Sequence, residues 1–108
     1  MNELKTLLER IEKFSKDRDW DKFHSPSNLA KSIAIEGGEL LECFQWDDEN
    51  YDEESVKNEL ADVLNYCLQL SLALHYDPIS IVNSKMDQNE RKYPIEKAKG
   101  VATKYDKL

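Results

Sequence analysis

Three prolines and three glycines punctuate the 108 residues. Two of the prolines directly follow a good helix-capping residue, in Ser25-Pro26 and Asp77-Pro78. A serine or aspartate at the N-cap satisfies a free backbone N–H of the first turn, and proline is tolerated next because its missing N–H has no intrahelical partner. Between such starts, apolar residues recur at helical spacing, so a few long helices are expected rather than a many-turned sheet. The spacing predicts a first helix from about Glu3 to Asp17, with Leu4, Leu7, Leu8, Ile11 and Phe14 on one side. A second runs from Pro26 to about Trp46, a third from about Glu53 to His75, and a fourth from Pro78 to near Tyr93-Pro94. A polar, aromatic linker (Arg18 to His24) precedes the second helix, and the acidic run from Asp47 to Glu54 reads as an exposed loop with a cap near Asp52. A short helical turn closed by Gly100 leads into a tail without an assignable pattern. The expected architecture is all-α, a four-helix bundle formed by a single domain over residues 1–108.

The net charge of −7 is unevenly placed. Residues 36 to 62 hold eleven of the 22 acids, opposed there only by Lys57, whereas the stretch from Lys85 onward is mildly basic. Such a chain does not attract a nucleic-acid polymer by bulk charge. An anionic ligand would need those carboxylates neutralised locally, for which a divalent cation is the natural agent. Cys43 and Cys67 lack CxxC spacing and sit within apolar helical patterns, so they read as buried small hydrophobes in a reducing compartment. The amphipathic start MNELKTLLERIEKF has no apolar core of signal-peptide length, and no stretch is apolar enough to span a bilayer. No membrane partner and a cytoplasmic location are expected.

The second and third helices carry the informative pattern. At about 100° per residue, Leu29, Ile33, Leu40, Cys43 and Phe44 share an arc of the second helix; Glu36 falls inside it and Glu39 on its border. On the third, Leu60, Val63, Leu64, Cys67 and Leu68 form the apolar arc, with Glu59, Asp62 and Tyr66 as an adjoining stripe. Each helix therefore brings a carboxylate pair three residues apart to its buried edge, and neither supplies a Lys or Arg nearby. Uncompensated buried carboxylates must be paired, protonated or bound to metal. Antiparallel packing through the acidic loop would bring the two pairs together as an all-oxygen site for Mg²⁺ or Mn²⁺. Gly37 and Gly38 would admit another backbone at that level. Acids three apart on a helix are usually a solvated face, and Glu42 fits that description; two pairs abutting apolar arcs on successive helices are harder to dismiss.

The segment IEGGELLECFQW (Ile35 to Trp46), followed by NELADVLNY (Asn58 to Tyr66), resembles the ExxE…ExxD signature of the MazG-like all-alpha NTP pyrophosphatases. RDWDKFHSPSNLA, the FQW after the first pair, KMDQNERKYP and the terminal KYDKL extend the resemblance to the dCTP pyrophosphatase branch, over nearly all of the chain from Arg18 onward. The resemblance implies Mg²⁺ ligands at Glu36, Glu39, Glu59 and Asp62. It implies attack of a metal-activated water at the α-phosphorus, with pyrophosphate leaving. Glu36 and Glu39 are the catalytic candidates: a carboxylate not fully used in coordination accepts the water's proton, Glu39 first and Glu42 next. The branch holds the nucleoside with the linker before the second helix and the Trp at its end, here Trp20, Asp21, Lys22, Phe23, His24 and Trp46. Tyr66 would pack under the sugar, and Lys85 and Asn89, one turn apart, would meet phosphate or base. Aromatic faces suit base stacking, worth about 1–3 kcal/mol per base. Lys104 and Tyr105 are weaker candidates, and His75 reads as a helix-end residue.

Two positions depart from the pattern. Ile35 stands where many MazG relatives carry a further Glu, which the dCTP-cleaving branch also lacks. Ile11 stands where animal dCTP pyrophosphatases place a substrate-contacting His, which leaves the base preference open. The third helix is apolar at Leu68, Leu70, Leu72 and Leu74, positions spread around its axis, so a homodimer or homotetramer is expected. The rival to an enzyme is a catalytically silent helical module that binds metal or nucleotide without turnover. A di-iron bundle is excluded because neither Glu39 nor Glu59 is followed three residues later by His.

Overall fold

The computed structural model describes residues 2–108, and every regular element in that span is helical. Two compact units divide the chain, one ending at Tyr76 and the other beginning at Asp77. The first contains α1 (Glu3–Asp17), a 3-10 turn (Asp21–Phe23), α2 (Pro26–Glu42) and α3 (Glu53–Ala73). The second contains α4 (Pro78–Lys92), α5 (Ile95–Ala98) and a 3-10 turn (Tyr105–Lys107) within the tail.

Local chemistry starts each long helix. Asn2 Oδ1 accepts from the backbone N–H groups of Leu4 and Lys5, Ser25 Oγ from that of Asn28, Asp52 Oδ2 from that of Ser55, and Asp77 Oδ1 from that of Ile79. These contacts satisfy donors that a helix start otherwise leaves open. The ends are less regular than periodicity suggests. α2 stops at Glu42 rather than at Trp46: the backbone tightens over Cys43–Gln45, whose N–H groups return to Leu40, Leu41 and Glu42. Asp47 then organises the acidic loop, its carboxylate accepting from the N–H groups of Glu49 and Asn50. Phe44 stacks against Tyr51 at 4.8 Å and pins the loop to the end of α2. α3 ends at Ala73, two residues before the expected His75, which adopts a left-handed conformation (φ 59°) and reverses the chain.

Within the first unit α2 packs along α3, and α1 rests on α3. Glu36 meets Glu59 and Asp62, while Leu29 shares a cavity wall with Gln69, Leu72 and Ala73, so α2 and α3 run antiparallel. Leu29, 1% exposed, is the one fully buried large side chain among the described residues. Much of the apolar pattern stays open. Leu7, Phe14, Leu60 and Leu64 are each 44–54% exposed. A trough of about 550 Å³ between α1 and α3 is lined by Leu7, Phe14, Leu64 and Leu68 together with Arg10, Ile11, Ala61, Asn65 and Gln69. Cys43 and Cys67 are half-buried free thiols rather than fully buried ones, because the faces they occupy are only partly covered. Among the described residues no helix is long and apolar enough to cross a membrane.

Candidate functional site

Three of the four carboxylates come together by register. Glu36 sits mid-way along α2, and Glu59 and Asp62 occupy the second and third turns of α3. Antiparallel packing sets them side by side, so that one carboxylate oxygen from each of Glu36, Glu59 and Asp62 lies within 4.8 Å of the others. Glu39, one turn beyond Glu36 and exposed, is not part of that triplet but lies close enough to perturb the titration of Glu36 and Glu59. Glu42 closes α2 and is exposed.

The environment of these oxygens suits a cation. Glu36 Oε2 and Glu59 Oε2 are buried and no N–H or O–H donor reaches either. Buried acceptors almost always have a partner, and here the neighbours are other carboxylates. Sharing a hydrogen bond with Glu39 raises the Glu36 carboxyl from 4.5 to about 7, helped by burial and by the charges of Glu39, Asp62 and Glu59. Glu59 is also raised, first by burial, then by its contact with Glu39 and by the Glu39 and Asp62 charges, while a hydrogen bond with Glu36 works in the opposite direction. No lysine or arginine forms an ion pair with any of the four among the described residues. An all-oxygen set with unpartnered buried acceptors fits a hard divalent cation, which would replace the missing donors. A Cβ placed on Gly37 or Gly38 would meet nothing within 4 Å. Among the described residues of this chain, no backbone of another element comes that close to them.

The expected substrate residues separate into three groups. Asp21 and His24 line a cavity of about 210 Å³ closed by Ile11 and Ser15 of α1, Leu29 of α2 and Gln69 of α3. Trp20 stands beside it, edge-on to Phe14 at 5.7 Å and to His24 at 6.5 Å, and 44% exposed. Asn28 Nδ2 donates to the Phe23 carbonyl oxygen and ties the linker to the first turn of α2. Lys22 is taken up locally, 3.2 Å from Asp19 and over the Phe23 ring. Trp46, expected at the end of a helix, instead lies in the bend beyond α2 and is 89% exposed. Tyr66 is half-buried on α3, one turn past Asp62. Lys85 and Asn89 lie on α4 in the second unit, as Lys104 and Tyr105 lie in its tail. The residues that sequence alone did not single out are Gln69, Asn65 and Ser15. Gln69 stands seven residues after Asp62, hence on the same helix face, and a polar residue at that spacing within an apolar arc was the available signal.

Known proteins bear on this arrangement. The model of the MazG-like family matches residues 31–108. The dCTP pyrophosphatase 1 of Mus musculus is 38% identical over 104 residues, and that of Homo sapiens 36%. Each alignment covers 88% of this chain and 61% of the relative, so the chain spans about 61% of the length of these curated relatives. A solved pyrophosphatase from Archaeoglobus fulgidus superposes with a TM-score of 0.78 at 44% identity, covering 87% of this chain and 94% of the other.

Proposed function

The chain belongs to the MazG-like family, and from that premise we propose that it hydrolyses a nucleoside triphosphate to its monophosphate and pyrophosphate, with dCTP or a modified dCTP as substrate. The single observation that carries the reading is the set of buried, donor-less carboxylate oxygens on Glu36 and Glu59, gathered with Asp62 and flanked by Glu39. The names of the relatives, dCTP pyrophosphatase and pyrophosphatase, support the reaction and the base.

Glu36, Glu59 and Asp62 would hold Mg²⁺ or Mn²⁺, with Glu39 completing the set. When bound, such an ion cancels repulsion between the carboxylates and the triphosphate and makes a coordinated water more acidic. Glu39 is the most solvent-accessible of the glutamates facing the cluster, and it accepts the proton of the attacking water. The water oxygen bonds to the α-phosphorus, the bond to the α–β bridging oxygen breaks, and pyrophosphate departs with that oxygen. Trp20, Asp21, Phe23 and His24 hold the nucleoside from the linker side. Trp46 supplies an exposed stacking face, Tyr66 packs under the sugar, and Lys22 joins the linker residues that hold the nucleoside. Such an enzyme would serve nucleotide-pool control in the cytoplasm.

A homodimer or homotetramer of all-α bundles accounts for the uncovered apolar surface. Leu7, Phe14 and Leu64 line an open trough, and a chain with a single fully buried large side chain among its described residues gains most of its core by association. The uncovered helix glycines Gly37 and Gly38 support the same reading: each costs up to about 1 kcal/mol relative to alanine in a helix interior, and nothing among the described residues makes use of the space they leave.

The decisive experiment incubates a panel of NTPs and dNTPs with the protein and Mg²⁺ and follows phosphorus products. Monophosphate and pyrophosphate are expected, strictly dependent on the divalent ion. Orthophosphate as first product would contradict attack at the α-phosphorus. Silence with every nucleotide would leave a non-catalytic helical module.

A further inference from the structure

Gln69 stands in the wall of two cavities of the first unit, and its carboxamide is only half satisfied. Nε2 donates to Asn65 Oδ1 at 3.2 Å, whereas Oε1 is buried without a donor. Buried amide oxygens are seldom left so. The smaller cavity beside it mixes Ser15, Asp21 and His24 with Ile11 and Leu29. At about 210 Å³ it falls below the roughly 300–1,000 Å³ of pockets that enclose a whole ligand, and it suits one flat ring rather than an entire nucleotide.

Position supplies the second argument. Gln69 follows Asp62 by seven residues, which is two turns and about 10 Å along the same face of α3. A phosphate at Glu59 and Asp62 and a ring beside Gln69 are then the two ends of one extended ligand with a sugar between them.

We propose that Gln69 is a specificity-determining residue, its Oε1 accepting a hydrogen bond from the exocyclic amine of a cytosine-type base seated in this cavity. The inference rests on the pyrophosphohydrolase reading and extends it to the base. Asn65 fixes the sense of recognition: while its Oδ1 holds Gln69 Nε2, the oxygen is the end left to pair. A base presenting a carbonyl there sets oxygen against oxygen. Ile11 adds an apolar wall to the same cavity, whose other polar lining is Glu12, Ser15, Lys16, Asp21 and His24.

The test measures kcat/KM for dCTP and dUTP with Mg²⁺ in the wild type, Gln69→Met and Asn65→Leu, beside pyrophosphate release across all dNTPs. The wild type is expected to prefer dCTP by about tenfold or more, and Gln69→Met to bring the ratio within about threefold of unity while still turning over dUTP. Asn65→Leu keeps Gln69 but frees its amide to turn, and it lowers the ratio as well. A wild type indifferent to the two bases or preferring dUTP overturns the proposal, as does a Gln69→Met protein that keeps the preference. If Gln69→Met fails to fold by circular dichroism, the wild-type ratio and Asn65→Leu decide. Absence of pyrophosphate release from every dNTP sinks the parent reading instead, a result distinct from release without base selectivity.

Discussion

Replacing Glu36 by glutamine separates stability from function at the carboxylate cluster. In the native chain the Glu36 carboxyl is raised from 4.5 to about 7, first by its hydrogen bond with Glu39, then by burial and by three neighbouring acids. Between those values the native state holds a proton that the unfolded chain has released. Stability therefore falls as pH rises through the window from 4.5 to about 7 and stays lower above it. The full rise corresponds to about 3 kcal/mol. Glu36 is half-buried and water screens part of the cluster, so roughly 1–2 kcal/mol is expected in practice. Glutamine carries no charge at any pH and escapes the penalty. In EDTA at pH 8, Glu36→Gln should melt about 5–10 °C above the wild type, at equal protein concentration. Near pH 5 the two should nearly coincide. Saturating Mg²⁺ should then reverse the order, because an ion at 100 times its dissociation constant adds about 2.7 kcal/mol to the wild type and finds a broken site in the variant. Differential scanning fluorimetry across pH, with and without Mg²⁺, reads all three effects. A Glu36→Gln protein no more stable than the wild type in EDTA at pH 8, or one stabilised equally by Mg²⁺, would refute the reasoning.

The other substitutions probe different layers of the molecule. Glu39→Gln should lower kcat by at least about 100-fold, since a general base contributes that much, with circular dichroism and oligomer mass unchanged; retained turnover would remove Glu39 from the chemistry. Trp46→Ala, at a position 89% exposed, should leave the melting temperature alone and weaken nucleotide binding about tenfold through lost stacking, and titration calorimetry showing an equal loss of Mg²⁺ affinity would contradict a stacking role. Leu29→Ala, at a fully buried large side chain, should cost about 2–5 kcal/mol in chemical denaturation; a loss below about 1 kcal/mol would mean the site collapses around it. Leu64→Asp places a charge in the open trough between α1 and α3 and should shift the mass measured by light scattering toward the monomer while circular dichroism keeps its helical signal.

Helix starts and the carboxylate pattern were legible in the residues. Ser25, Asp52 and Asp77 cap as their types and neighbours imply, because an N-cap is decided within four residues of chain. The i, i+3 pairs could be placed at the edge of apolar arcs because helical geometry is local and periodic. Helix ends were less legible. α2 was expected to reach Trp46 but stops at Glu42, since a tightening last turn, the Asp47 turn and the Phe44–Tyr51 stack compete with the helix there. No periodicity reports that competition. The same limit explains Trp46, which the pattern set on a helix and the structure leaves in a bend.

Sequence by itself determined an all-helical chain with a carboxylate pair on each of its second and third helices. Only the tertiary structure decided which oxygens meet: that Glu36, Glu59 and Asp62 converge while Glu39 flanks them, that Glu36 Oε2 and Glu59 Oε2 have no donor, and that Gln69 reaches a cavity wall with one end of its amide unpaired. The reason is separation along the chain. Caps and helical faces are settled by neighbours a few residues apart, whereas Glu36 and Glu59 are joined by a loop and find each other only through the register of α2 against α3, which the packing of whole helices sets.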